Sequence, residues 1–189
     1  MCQLRSLRLE ECTFENDGLT QILKTKTPKL ESLALFSMDW PFTRSHLPSH
    51  FRDSLKDLWI EHCWSDWHQP NLSSLTSLCC LHLDSGWWYW WIARKLPPNL
   101  LSISYTVPKE RSCGWRNHDQ FEAALECLSQ GLPKLKLIWV RANHRHPPFK
   151  NENEIRRKLQ LCGVRLVTEL VSQGKHMVVL PLFKLFLTG

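Results

Sequence analysis

The sequence predicts an α/β repeat solenoid: a short, irregular horseshoe with a parallel sheet on its concave side and helical or loop returns on its convex side. Two observations carry that reading. The first is a motif of Leu, two residues, Leu, one residue, Leu. It runs as Leu4-x-x-Leu7-x-Leu9-x-x-Cys12, Leu30-x-x-Leu33-x-Leu35 and Leu55-x-x-Leu58-x-Ile60-x-x-Cys63. It continues as Leu78-x-x-Leu81-x-Leu83, Leu100-x-x-Ile103-x-Tyr105 and Leu135-x-x-Ile138-x-Val140-x-x-Asn143. The second is spacing: the first five starts lie 26, 25, 23 and 22 residues apart. A conventional strand–helix–strand crossover takes about 30 residues or more. Intervals this short favour stacked units over an ordinary α/β sandwich with a parallel sheet, and fall within the roughly 20 to 29 residues of leucine-rich repeats.

The elements follow in order. In the first unit Leu4, Leu7 and Leu9 point inward from a short strand, and Cys12 tucks under the turn. Asp17-Gly18 opens a helical return in which Leu19, Ile22 and Leu23 share one face. Thr27-Pro28 closes it before the next strand. The returns at 39–54 and 66–74 are rich in Pro, His and Ser and read as loops or short turns. The longer interval before Leu135 holds an insertion or a further repeat between Pro108 and His118. A helix from His118 to Ser129 carries an inner stripe of Phe121, Ala124, Leu125 and Leu128, and Gly131-Leu132-Pro133 stops it. Another spans 151–161, with Asn151 as cap, Glu154 at its third position, and Ile155 and Leu159 inward. Gly163 is placed to end it before the segment from Val164 to Val167. Residues 1–168 are thus expected to form the repeat domain. Residues 169–189 are expected to be an apolar tail acting as a capping strand or docked segment. The tail's apolar run, Met177 to Leu187, is shorter than the roughly 20 residues of a membrane-spanning helix and contains Pro181 and Lys184. No transmembrane segment is expected.

Composition narrows the function classes. Hydrophobic residues make up 43% of the 189 and charged residues 22%, enough apolar content to line a continuous core. The net charge is +6, but the basic residues are scattered, so no specific nucleic-acid partner is expected. Eight Cys are an even number, which invites a disulfide framework. Cys12, Cys63 and Cys127 nevertheless sit where a repeat core buries a small thiol, and the opening stretch reads as a strand rather than a leader. The expectation is buried free thiols in a reducing compartment, the cytoplasm or nucleus.

The stretches Leu4 to Cys12, Asp17-Gly18-Leu19 with Ile22-Leu23, and Leu55 to Cys63 resemble the cysteine-containing repeats of the F-box/leucine-rich-repeat family. The segment Ile155-Arg156-Arg157-Lys158-Leu159 before Cys162-Gly163-Val164 is similar to the last helix–strand unit of such proteins, especially the fungal ones. In that family an F-box docks to the Skp1 subunit of a cullin ubiquitin ligase while the repeats hold the substrate. No F-box-like segment stands ahead of the first motif here. The resemblance therefore implies the substrate-recognition half of such an adaptor.

Side chains alternate faces along a strand, so residues between the inward positions face the concave side. Among them Arg8, Phe36, Trp59, Glu61, His82, Asp84, Trp139 and Arg141 are the candidate protein-binding set. Trp, aromatic and Arg side chains concentrate binding energy in interfaces. The block Trp87-Trp88-Tyr89-Trp90-Trp91 reads as a mixture of packing and exposed interface.

Chemistry of other kinds fails to assemble. His62, Cys63 and His68 lack the spacing of a structural zinc site, and Cys79-Cys80 is an adjacent pair rather than Cys-x-x-Cys. His144 and His146 flank Pro147-Pro148 and read as exposed loop residues. Seven Gly form no phosphate-binding loop, and no nucleophile elbow surrounds any Ser. No catalytic residue, metal or cofactor is expected. Two other classes stay open at this level: a structural or truncated repeat protein without a ligase role, and a hydrolase of unknown class.

Overall fold

A computed structural model of the chain describes residues 4–13, 21–23, 27, 29–37, 49–61, 72–84, 96–106, 118–143 and 149–171. Among them seven strands form one parallel sheet whose spatial order is the chain order. The strands are β1 (Ser6–Glu10), β2 (Ser32–Phe36), β3 (Asp57–Glu61), β4 (Cys80–Asp84), β5 (Ser102–Thr106), β6 (Leu137–Asn143) and β7 (Arg165–Val171). The helices α1 (Phe51–Ser54), α2 (His118–Gly131) and α3 (Glu152–Leu161) lie in the returns, and residues 21–23 are also helical.

Every pairing keeps the motif in register. Leu7 stands beside Leu33, Leu33 beside Leu58, Leu58 beside Leu81, Leu81 beside Ile103, Ile103 beside Ile138 and Ile138 beside Leu166. Period-two alternation puts the whole apolar series on one face, where it merges with the returns into a single core. Each fully buried Leu contributes about 1.5–3 kcal/mol. The first residue of the motif contributes as well: Leu30, Leu55, Leu78 and Leu100 are wholly buried.

The backbone repeats as faithfully as the side chains. The carbonyl of Arg5 accepts from the N–H groups of both Glu31 and Ser32. Glu31 does the same for Lys56 and Asp57, Lys56 for Cys79 and Cys80, Cys79 for Leu101 and Ser102, and Leu101 for Lys136 and Leu137. One shared acceptor just ahead of each strand thus sets the stagger of the next unit. At the far end, Glu11 (φ 53°) and Ser37 (φ 48°) occupy the left-handed region immediately after β1 and β2. Their N–H groups donate to the carbonyls of Phe36 and Glu61, both at 3.0 Å, so two successive units leave the sheet by the same turn.

The two later helices are found where expected, α3 with its expected ends and α2 running past Ser129 to Gly131. Asn151 Oδ1 accepts from the Glu154 N–H at 3.3 Å, capping α3, while Ile155 and Leu159 are buried. The Val164 N–H donates to the Leu159 carbonyl and the Gly163 N–H to that of Gln160, both at 2.9 Å, a Schellman close. Gly163 carries φ +73°, and a Cβ there would meet nothing within 4 Å. Gly163→Ala is therefore expected to destabilise the fold by about 1 kcal/mol through backbone strain alone. Urea unfolding of the two chains checks this, and an unchanged midpoint would contradict it. On α2, Leu125 and Leu128 are buried and Ala124 packs partly against the core. Lys158 Nζ joins α3 to α2 through Glu126 Oε1 at 2.7 Å.

Several expectations are corrected. Ile22 is 46% exposed instead of sharing the inner face with Leu23, and Leu4 is equally exposed. Both belong to the first unit, whose β1 has one strand neighbour, so its apolar ridge is covered from one side only. Cys127 is exposed on α2 rather than buried, because it precedes the inward Leu128 and points off the inner stripe. It is one of the free thiols, with Cys12, Cys79, Cys80 and Cys162. Of the two readings of the long interval before Leu135, the insertion is favoured, since β5 pairs directly with β6 and no further strand among the described residues stands between them. The described part of the 39–54 return, residues 49–54, holds one helical turn, α1, in keeping with the short turns expected there. Leu19, Phe121, Cys63, His62, His68, His144, His146, the Trp87–Trp91 block and the 172–189 tail lie, in side chain or entirely, outside the described residues.

Candidate functional site

Three rows of side chains cross the outer face of the sheet, opposite the apolar ridge. The middle row reads Arg8, Ala34, Trp59, His82, Ser104, Trp139, Val167. The row beside it brings Glu10, Phe36 and Glu61 together on β1 to β3, and Thr106, Arg141 and Glu169 together on β5 to β7. Neighbouring positions on paired strands stand about 4.8 Å apart, close enough for direct contact.

The result is a ladder of rings with charged ends. Arg8 Cζ lies 4.4 Å from the Phe36 ring centroid, a cation–π contact. Phe36 and Trp59 are tilted at 36° with centroids 5.9 Å apart. Trp59 stacks on His82 at 3.7 Å and 16°. Trp59 Nε1 donates to Glu61 Oε2 at 2.9 Å, fixing the indole about its ring plane. The same carboxylate oxygen lies 3.8 Å from His82 Nε2. His82 Nδ1 is in hydrogen-bond contact with Ser104 Oγ, and Nε2 is 3.3 Å from Thr106 Oγ1. Arg8 also reaches Glu10 at 2.9 Å.

Exposure divides this face in two. Arg8 and Glu10 are exposed, and Phe36 and Trp59 are half-buried. From β4 onward the outward positions close. His82 is 2% exposed, Ser102 and Ser104 are wholly buried, and Trp139 and Arg141 are 7% exposed each. β5 and β6 are thus buried on both faces over Ser102–Tyr105 and Leu137–Ala142, the burial pattern of a sheet covered on both sides. The expectation that His82, Trp139 and Arg141 look out to solvent is corrected. His82 is stacked on Trp59 and in hydrogen-bond contact with Ser104, which takes its ring out of solvent. Arg141 Nε lies 3.4 Å from Glu169 Oε2, close enough for charge attraction although not aligned for a hydrogen bond. Asp84 ends β4, and its side chain lies outside the described ones.

No protein-family model, curated protein or solved structure matches the chain.

Two features of the face were not singled out from sequence. One is the grouping of Ser104, His82 and Glu61 around one imidazole, which places hydroxyl, base and carboxylate in the order of a nucleophilic triad. Ser104 is wholly buried, and the group ties β3, β4 and β5 together. The signal was present: Trp59, His82 and Ser104 share one motif position. The other is Cys80, whose thiol is pushed up to about 12, first by burial and further by the neighbouring Asp57. It stays protonated at neutral pH and is a poor nucleophile. Among the described residues no group of three His, Cys, Asp or Glu comes together as a metal site. Among them no helix is long and apolar enough to cross a membrane.

Proposed function

We propose that the chain is a leucine-rich-repeat solenoid that binds another protein on the β1 to β3 part of its concave face. Sequential strand order supports the solenoid. Crossovers of one hand between successive neighbours place every return on the same side of the sheet, whereas doubly wound folds reverse direction. The observation that carries the binding reading is the half-exposed Phe36–Trp59 pair set between Arg8 and Glu61. Aromatic anchors held rigid by their neighbours and rimmed by charge are the residues on which interface energy concentrates. Arg8, Phe36, Trp59 and Glu61 are the contacting set, with His82 supporting Trp59 from below. Trp139 and Arg141 hold the sheet. No bond chemistry belongs to the chain in this reading.

The resemblance to F-box/leucine-rich-repeat proteins extends the proposal to substrate recognition for a cullin-type ubiquitin ligase in the cytoplasm or nucleus. Affinity capture with quantitative mass spectrometry tests it, comparing the intact chain with Trp59→Ala, Arg8→Glu and the distant surface change Arg157→Ala. A partner retained by Arg157→Ala and reduced about 30-fold by Trp59→Ala is expected, equivalent to about 2 kcal/mol. Arg8→Glu lies on an exposed side chain and is expected to weaken the same partner without unfolding the chain. Equal capture by folded Trp59→Ala and Arg8→Glu chains contradicts the binding face. Recovery of Skp1 and cullin supports the ligase role specifically.

A further inference from the structure

We infer that His82 is a protonation switch beneath the binding face, resting on the reading that Trp59 contacts the partner. The geometry that points to this is one carboxylate between two claimants. Glu61 Oε2 accepts from Trp59 Nε1 at 2.9 Å and stands 3.8 Å from His82 Nε2. His82 also stacks on the Trp59 ring at 3.7 Å. Its other nitrogen contacts Ser104 Oγ, so the imidazole is anchored by β5 while it touches two residues of β3.

Neutral imidazole has one N–H and one acceptor nitrogen, whereas imidazolium donates from both. With Nδ1 and Nε2 both carrying protons, the ring bears a full positive charge beside Glu61 and beneath the indole face. Charge attraction then draws the carboxylate toward Nε2, and cation–π attraction tightens the Trp59 stack. Both changes act on Trp59: its N–H loses its acceptor and its ring is pulled down. Among the described residues, the other groups facing His82 do not compete for the proton. Ser104 and Thr106 on β5 are hydroxyls, and Cys80 on the same strand stays protonated. Of the remaining charged residues, Asp57 lies on β3 beside Cys80, Asp84 follows at the next outward position of β4, and Arg141 stands beyond Thr106 on β6. Protonation of His82 therefore releases Trp59 from Glu61 and weakens the partner. The loss is about tenfold for each unit by which the bound partner displaces the imidazole's titration.

Indole N–H resonances of the free, 15N-labelled chain, followed from pH 8 to pH 5, test the switch without any partner. Trp59→Phe assigns the relevant peak by its disappearance. The Trp59 peak is expected to move along a single titration curve and to stay fixed in His82→Gln. A second variant, Glu61→Gln, keeps an acceptor for the indole but removes the charge, and is expected to shrink the movement. A stationary Trp59 peak in the intact chain overturns the switch, as does a titration that persists unchanged in His82→Gln or in Glu61→Gln. Because these readouts need no partner, they fail separately from the capture experiment, which judges the binding face alone.

Discussion

Leu81→Ala is expected to lower the unfolding free energy by about 3–5 kcal/mol, while Leu7→Ala, at the same motif position, is expected to cost about 1 kcal/mol. Both residues are the second Leu of their units and stand in one apolar row. Leu81 is wholly buried between Leu58 on β3 and Ile103 on β5, and truncation leaves a cavity with covered walls on both sides. Leu7 is half-buried on β1, with Leu33 as its one strand neighbour. Removing its side chain exposes little new surface and opens the gap to water rather than to vacuum. Urea unfolding monitored by circular dichroism separates the two. Equal costs would mean that the units are not stacked in the order described, because only stacking makes identical motif positions unequal.

The ridge was legible because it depends on local pattern. Alternation along five residues decides which side chains face the core, and the Leu triad states it in every unit. The shared acceptor ahead of each strand follows from equal stagger, which even spacing implies. Helix ends were legible for the same reason, since Asn151 and Gly163 act through bonds to residues a few positions away. Burial of the outer face was not legible. Whether Trp139 or Trp59 meets water depends on residues of neighbouring strands, more than 20 positions distant. Ser104 illustrates the point: a polar residue at an outward position reads as solvated, yet it is wholly buried and in hydrogen-bond contact with His82 on the neighbouring strand. The contrast between Leu7 and Leu81 has the same origin, for the motif is identical and only the number of neighbours differs.

Trp139→Ala is expected to destabilise the chain by about 3–5 kcal/mol, in contrast to Trp59→Ala at about 1–2 kcal/mol. The two residues occupy equivalent motif positions on β3 and β6 and share the outer face. Trp139 is 7% exposed, between Ser104 on β5 and Val167 on β7, neither of which is large enough to fill the space of an indole. Arg141 stands on the same strand, equally buried, with its Nε 3.4 Å from Glu169 Oε2. Loss of the indole therefore opens a cavity in a face that is closed at both positions. Trp59, by contrast, keeps one edge in solvent, and its removal exposes His82 and Phe36 without a closed void. Thermal and urea unfolding of the single variants measure the difference. An unchanged midpoint for Trp139→Ala would show that the outer face of β6 is open, and Trp139 would return to the contacting set beside Trp59. With the expected loss, a chain carrying both substitutions fails to capture a partner because it unfolds, so Trp59 and Arg8, changed singly, are the positions at which binding is separated from folding.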